Sequence, residues 1–322
     1  MNNQATDLEK LKTIFFPHSK KRTDEFRGAN KRFVYYTTAA VATNILRTQT
    51  IWMRNATVMN DFMEISHGFE CLNAAYKGSP GAQFKSALNS CFPRLADDVE
   101  LLFNSWLPHI REDSYLTCIS EHHDQEDQHG RLSLWRAYGG SNGVALVLNP
   151  DVMFAQSNVL GAFSSPVHYA NQVQFGKELE DIAASINREC DYVRALGKEK
   201  VTNIVFHMLR FAVLCTKHPG FQEELEWRVT ASPNLHPNNR LKAAIEVVNG
   251  TPQKVLKIKL ENDPANGLVG LEPAELLNRI IIGPCEFPIV TYRAFHDLLN
   301  ELKIPDVDKK IFVSDIPLRH SR

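Results

Sequence analysis

Arg32-Phe33-Val34-Tyr35-Tyr36-Thr37-Thr38 is dense in aromatic and β-branched residues, which pack well on a pleated surface and favour a strand. It reads as the first core strand. Thr38 offers a hydroxyl to cap a helix over Ala39 to Arg47, and Thr50-Ile51-Trp52-Met53-Arg54-Asn55 reads as a second strand leading into Asn60-Asp61. Strand, helix, strand opens an α+β fold.

Downstream, Asp61 to about Leu107 reads as helix in pieces, broken at Gly78-Ser79-Pro80-Gly81 and again near Pro93. Ser114 to Ser120 is a further strand. It runs into Glu121 to Gly130, which is too polar to bury itself and is expected as a surface loop. Leu132 to Tyr138 fits a short helix, Gly139 to Gly143 a turn, and Val144 to Leu148 a buried strand closed by Asn149-Pro150. Pro166 to Tyr169 adds a strand. Apolar residues from Phe175 to Cys215 recur at helical spacing, with a break at Gly197-Lys198. Glu226 to Thr230, Lys254 to Leu260, Arg279 to Ile282 and Lys310 to Ser314 read as strands, with a helix from Thr291 to Leu302 between the last two.

Strands thus bracket a helical middle. No repeat, low-complexity tract or Pro/Gly/Ser linker divides the chain. The expectation is a polar N-terminal lead over 1–30 and one α+β domain over 31–322, carrying a helical insertion at about 175–217. A boundary near Phe175 is the alternative.

Composition narrows the setting. The 322 residues are 43% hydrophobic and 23% charged, enough to bury a sizeable core. Lys and Arg total 36 against 37 Asp and Glu, so no global positive charge points to a nucleic acid or an anionic membrane. The six cysteines, Cys71, Cys91, Cys118, Cys190, Cys215 and Cys285, contain no C-x-x-C pair and suit reduced structural thiols in a reducing compartment. Met1 to Phe16 lacks the basic start and apolar run of a signal peptide, and no later stretch is apolar for long enough to span a bilayer. A cytoplasmic protein with no membrane partner is expected.

The chemistry-bearing segment is Glu223-Glu224-Leu225-Glu226-Trp227-Arg228. Crowded carboxylates repel one another unless solvated, paired or used. In extended backbone Glu224 and Glu226 share a side, Leu225 points to the core and Glu223 faces away. The structural alternative pairs Glu226 with Arg228 and leaves the rest solvated. Cys118, His122, His123 and His129 are zinc-ligand types, yet their spacing matches no standard closed site and no metal is assigned. Tyr35, Tyr36, Trp52, Trp135, Tyr138 and Trp227 offer faces for a flat heterocycle, although most such aromatics are core. Asn60-Asp61 with Glu64 reads as a helix cap that can also border a pocket. Walker and His-Glu-x-x-His patterns are absent, and Gly139-Gly140-Ser141-Asn142-Gly143, which spells Gly-x-Ser-x-Gly, precedes a strand instead of opening a helix, which disfavours P-loop, serine-hydrolase and zincin chemistry.

Taken jointly, Asn60-Asp61 with Glu64, Cys118-Ile119-Ser120, Leu134-Trp135 with Tyr138, Gly143, Glu224-x-Glu226-Trp227-Arg228, Ile280-Ile-Ile-Gly283-Pro284 and Ser314-x-Ile-Pro-x-Arg319 resemble a large bacterial family of uncharacterised domains. The resemblance runs from roughly Phe33 to Arg319. A second resemblance, to the ADP-ribosyltransferase superfamily, lies in Tyr35-Tyr36-Thr37 before a helix and short strand, in Ser120 at a strand end, and in Glu224-x-Glu226. It implies a split β-sheet core with helical insertions, and an enzyme for which NAD is a substrate. Glu226 would hold the ribose hydroxyls and stabilise an oxocarbenium-like state, with Glu224 handling the acceptor. Tyr36, Thr37, Ser120, Trp135 and Tyr138 would surround nicotinamide, and Arg54 or Arg228 would meet the pyrophosphate.

The implied product is ADP-ribose on a macromolecular acceptor, protein or nucleic acid, as in a toxin or antiphage effector restrained by an antitoxin or chaperone. This chain departs from that pattern in having Tyr36 where His or Arg is familiar, and in lacking a paired Ser-Thr-Ser after Leu116. Two rivals remain: a non-catalytic sensor or interaction module of a defence system, and a nuclease holding Mg²⁺ on Asp61, Glu64 and Glu226.

Overall fold

The computed structural model describes residues 2–59, 65–155, 157–237, 239–248 and 250–317. Asn60, Asp61, Glu64 and Arg319 lie outside the described residues. Helices α1 (Asn2–Phe15) and α2 (Pro17–Gly28) occupy the polar lead, followed by β1 (Arg32–Thr38), α3 (Ala39–Thr48) and β2 (Thr50–Asn55). Next come α4 (Ser66–Lys77), α5 (Ser79–Cys91), α6 (Leu95–Glu112) and β3 (Tyr115–His122). A short helix α7 (Leu132–Leu134) continues into a π turn at Trp135–Gly139. Beyond it lie β4 (Gly143–Leu148), β5 (Ala162–Pro166), β6 (His168–Tyr169), α8 (Gln172–Arg188), α9 (Cys190–Ala195), α10 (Lys198–Leu214) and β7 (Thr216–Lys217). A 3₁₀ turn at Pro219–Glu224 leads to β8 (Glu226–Ala231), β9 (Lys242–Val248), β10 (Thr251–Lys259), α11 (Pro273–Leu276), β11 (Leu277–Ile282), α12 (Pro288–Glu301), α13 (Val307–Lys310) and β12 (Ile311–Val313).

These elements gather into two compact units, each built from separated pieces of chain. One comprises residues 1–29, 55–114 and 165–222, and the other 30–54, 115–164 and 223–322. The fold is mixed α+β.

The first unit is helical. Its helix α8 packs on α4 and α5, and α10 lies against α6 and α4. Asn171 caps α8 through a side-chain bond from the Gln174 amide, and Gln174 returns the bond to the Asn171 amide. The buried face of α8 follows at helical spacing through Phe175, Leu179, Ile182 and Ile186. Strands β6 and β7 pair in parallel at one place in this unit.

The second unit holds the large sheet, in the order β12-β11-β4-β1-β3-β2-β10-β9, with β8 paired to β3 and β5. The β11–β12 pair is parallel, whereas β1 and β4 meet their partners antiparallel and β8 pairs antiparallel with β3. Strand β1 forms where its composition places it, and Thr38 caps α3 by accepting the Val41 amide. Strand β1 pairs with β3 over Arg32–Val34 and with β4 as far as Thr38.

Val34 lies opposite Ser120, and Ser120 opposite Glu226, so the three side chains share one side of the sheet. On that side Val34, Tyr36, Leu134, Trp135, Ala145, Val147 and Ile281 form a buried cluster. Alternation sends Phe33 and Trp227 to the other side, where their rings meet edge-on at 5.2 Å, with Phe154 5.9 Å from Trp227.

The segment expected as a solvated loop begins instead inside the fold. Glu121 and His122 extend β3 and are 1% and 0% exposed. They tolerate burial because each is paired. Glu121 accepts from Lys31 Nζ at 2.8 Å and from the Trp227 indole at 3.1 Å, and His122 Nε2 meets Asp127 at 2.8 Å. Strand β9 and the helices of the polar lead also went unread in the sequence. No helix of the described residues is long and apolar enough to cross a membrane.

Candidate functional site

The glutamate stretch changes conformation midway. Glu224 ends a 3₁₀ turn, Leu225 adopts a left-handed backbone with φ of 45°, and only from Glu226 is the chain extended. The period-two expectation for Glu224 and Glu226 therefore fails at Leu225, because a left-handed residue resets the direction of the chain.

The charges of both carboxylates nevertheless act on one group. The Tyr138 hydroxyl donates to Glu224 Oε1 at 3.2 Å. Burial, then the charges of Glu224 and Glu226 and the Cys118 thiol, hold the Tyr138 phenol far above its ordinary range, so it stays protonated. Glu226 accepts from Arg228 Nε at 2.9 Å, as the structural alternative required, and the two side chains are 4% and 0% exposed. Glu223 is exposed, as expected.

Arg131 builds this corner. Its Nη1 donates to the carbonyls of Glu223 at 2.9 Å and Glu224 at 3.3 Å, and its Nη2 to the Glu121 carbonyl at 2.9 Å. Glu126 grips the same guanidinium at 2.7 and 3.0 Å. All five guanidinium donors are thereby engaged. The Leu225 carbonyl accepts from the Glu121 amide at 3.0 Å, which fixes the other side of the left-handed residue. No motif pointed to Arg131, since an arginine in a polar stretch reads as solvated.

Tyr36 and Trp135 lie beneath this corner. The Tyr36 hydroxyl accepts the Arg131 amide at 2.6 Å, and its ring meets Trp135 edge-on at 4.7 Å. Trp135 is 1% exposed and donates its indole N–H to the His129 carbonyl at 2.8 Å. Ser314 donates to the same carbonyl. A Cβ at Gly283 would stand 2.8 Å from the indole and one at Gly143 3.0 Å from it, so both glycines leave room for the ring. Leu134, Trp135, Gly143, Ile281, Gly283 and Ser314 thus form one packing unit that supports Tyr138.

The remaining sequence-selected residues are distributed around the same strands. Thr37 and Ser120 are each 8% exposed, on β1 and β3. Arg54, on β2, donates to Gln253 at 3.1 Å. The Tyr35 hydroxyl, not assigned a role from sequence, is pushed up to about 12 by burial and the Cys118 thiol, with Arg54 acting in the opposite sense. Glu224, Glu226, Tyr138 and Arg228 are brought together, with Ser120 opposite Glu226 and Cys118 opposite Arg228 on the neighbouring strand β3. Asn60 and Asp61 lie outside the described residues. Two carboxylates beside a neutral phenol can stabilise positive charge that develops next to them.

Residues 134–229 match the family described as Protein of unknown function (DUF2971). The match takes in Trp135, Tyr138, Gly143, Glu224, Glu226 and Arg228, over less than a third of the chain. It supports the resemblance to a family of uncharacterised domains. Comparison with curated proteins and with solved structures yields no match.

Proposed function

We propose that the Glu224–Tyr138–Glu226–Arg228 corner cleaves the nicotinamide–ribose bond of NAD and transfers ADP-ribose to a macromolecule, protein or nucleic acid. The observation that carries this reading is the shared phenol: Tyr138 is bonded to Glu224 and feels the charge of Glu226 at the edge of β8. Two carboxylates close enough to act on one phenol are suited to an oxocarbenium-like transition state and a nucleophile. Glu226, ordered by Arg228, holds the ribose and offsets the developing positive charge. Glu224, half-buried and oriented by Tyr138, receives the acceptor proton. The parting of β1 from β3 beyond Val34 adds support, as it leaves Tyr35 to Thr38 beside β4 alone in the described register. Such an activity would arrest a cell that lacked a restraining partner, which is consistent with a toxin or antiphage effector.

The test is release of nicotinamide from NAD by the purified protein in a cell lysate, with labelled ADP-ribose followed onto protein and nucleic acid. Glu226→Gln is expected to lower release by roughly 10²- to 10³-fold, the range for losing a preorganised electrostatic group. Glu224→Gln is expected to lose transfer while keeping hydrolysis. Absence of nicotinamide release by the native protein would reject the reading. The burial of Glu226 and Arg228 favours one rival, a non-catalytic module in which the pair only braces a binding surface. That rival expects Glu226→Gln to change stability and leave NAD untouched.

A further inference from the structure

In the helical unit, side chains from three elements, one of them far from the other two in sequence, converge on one cavity. His18 lies in the first turn of α2, His168 on β6 and Glu178 in α8, and their ligand-type atoms all lie within 4.8 Å of one another. The cavity they line measures ≈ 70 Å³ and is otherwise walled mainly by apolar side chains, Phe15, Phe175, Leu179 and Ile182 among them. That is room for an ion and a few waters.

From this geometry we infer a binding site for a first-row divalent cation, zinc foremost, with His18, His168 and Glu178 as its three protein ligands. Two imidazoles and one carboxylate are a donor set for zinc with a fourth position left to water. Bonds of about 2.0–2.1 Å at tetrahedral angles put ligand atoms roughly 3.3 Å apart. The His168 Nδ1 to Glu178 contact, now 2.7 Å, has to open slightly, and the others have to close by no more than about 1.5 Å. Binding exchanges that hydrogen bond for two bonds to the ion, and His168 then carries its proton on Nε2.

The outer contacts suit this role. His18 Nε2 lies 3.2 Å from the Val167 carbonyl, which can only accept, so the neutral ring donates there and keeps its lone pair on Nδ1. A backbone carbonyl on the far nitrogen is how metal-bound histidines are usually oriented. The His18 and His168 rings lie 4.4 Å apart at 32°, close enough to turn toward a shared ion. His18 and His168 are 150 residues apart in the sequence, so no motif spacing could reveal the set.

The test uses the full chain, stripped with a chelator and titrated with Co²⁺ and then Zn²⁺, and it needs no enzymatic readout. The expected result is one equivalent of Co²⁺ bound with the visible ligand-field bands of a four- or five-coordinate ion, displaced by Zn²⁺, and a higher Tm with either metal. His168→Ala and Glu178→Gln are each expected to lose the bands while far-UV circular dichroism is unchanged. His18→Asn serves if either variant fails to fold. Featureless Co²⁺ spectra from the native protein, or bands that survive in the folded variants, would overturn the site. The outcome is independent of NAD cleavage.

Discussion

At the scale of single residues, Arg131 shows how much of the candidate site depends on a side chain without a motif. Its guanidinium holds three backbone carbonyls around the left-handed Leu225, and Glu126 holds the guanidinium. Lysine has three donors on a flexible stem and cannot reproduce that fork. Arg131→Lys is therefore expected to destabilise by about 2 to 4 kcal/mol, the cost of leaving partly buried partners unmatched, as measured by denaturant unfolding. The same contact carries a pH dependence. Burial raises the Glu126 carboxyl, but the hydrogen bond and charge of Arg131 outweigh it and leave the pKa below the ordinary value of 4.5. A lowered folded pKa means that the stabilisation is present above the unfolded value and is lost as pH falls through the folded one. Melting curves from pH 7 down to pH 3 should show part of the acid loss disappearing in Glu126→Gln. An identical acid limb in that variant would show that the pair does not govern it.

At the scale of elements, legibility followed burial pattern. Strands β1, β2, β4 and β11 are readable because aromatic, β-branched or continuous apolar runs mark them, and the breaks at Gly78 and Pro93 fall between α4, α5 and α6. Strand β9 was not readable, since Lys242 to Val248 exposes most of its residues and carries no buried run. The turn of direction at Leu225 was invisible as well, because leucine has no left-handed preference and only the grip of Arg131 and Glu121 explains it. The glycine motifs were visible as letters, but their reason lies in three dimensions: Gly143 and Gly283 flank the Trp135 indole from β4 and from the end of β11. Gly283→Ala is expected to cost about 1 to 3 kcal/mol by overpacking. In a Trp135→Phe background the smaller ring should relieve much of that cost. A double-mutant cycle on thermal stability with no coupling between the two positions would refute this account of the glycines.

At the scale of the whole chain, the near balance of 36 basic and 37 acidic residues gave no partner class, and the interleaving of the two units was not legible in the sequence. No linker marks them because the chain crosses between them repeatedly, so composition never shifts at a single boundary. Long-range closeness within a unit is equally hidden, as at Cys91 and Cys190. They lie 99 positions apart, one closing α5 and the other opening α9, yet their Sγ atoms are 3.0 Å apart. A disulfide needs about 2.05 Å, so a small shift would close the bond, with hydrogen peroxide as oxidant taking two electrons and both thiol protons to leave two waters. Burial first, then the neighbouring thiol, pushes the Cys91 pKa up to about 12, which keeps it protonated and slow at neutral pH. Half-buried Cys190 should meet the oxidant first. Peroxide is thus expected to remove two titratable thiols per chain, faster at higher pH, and to raise Tm, with chain entropy contributing at most about 4.7 kcal/mol for a loop near 100 residues. Cys190→Ser should keep Cys91 reduced and show no rise in Tm. If that variant gains the same stability on oxidation, the two sulfurs are not the pair that closes.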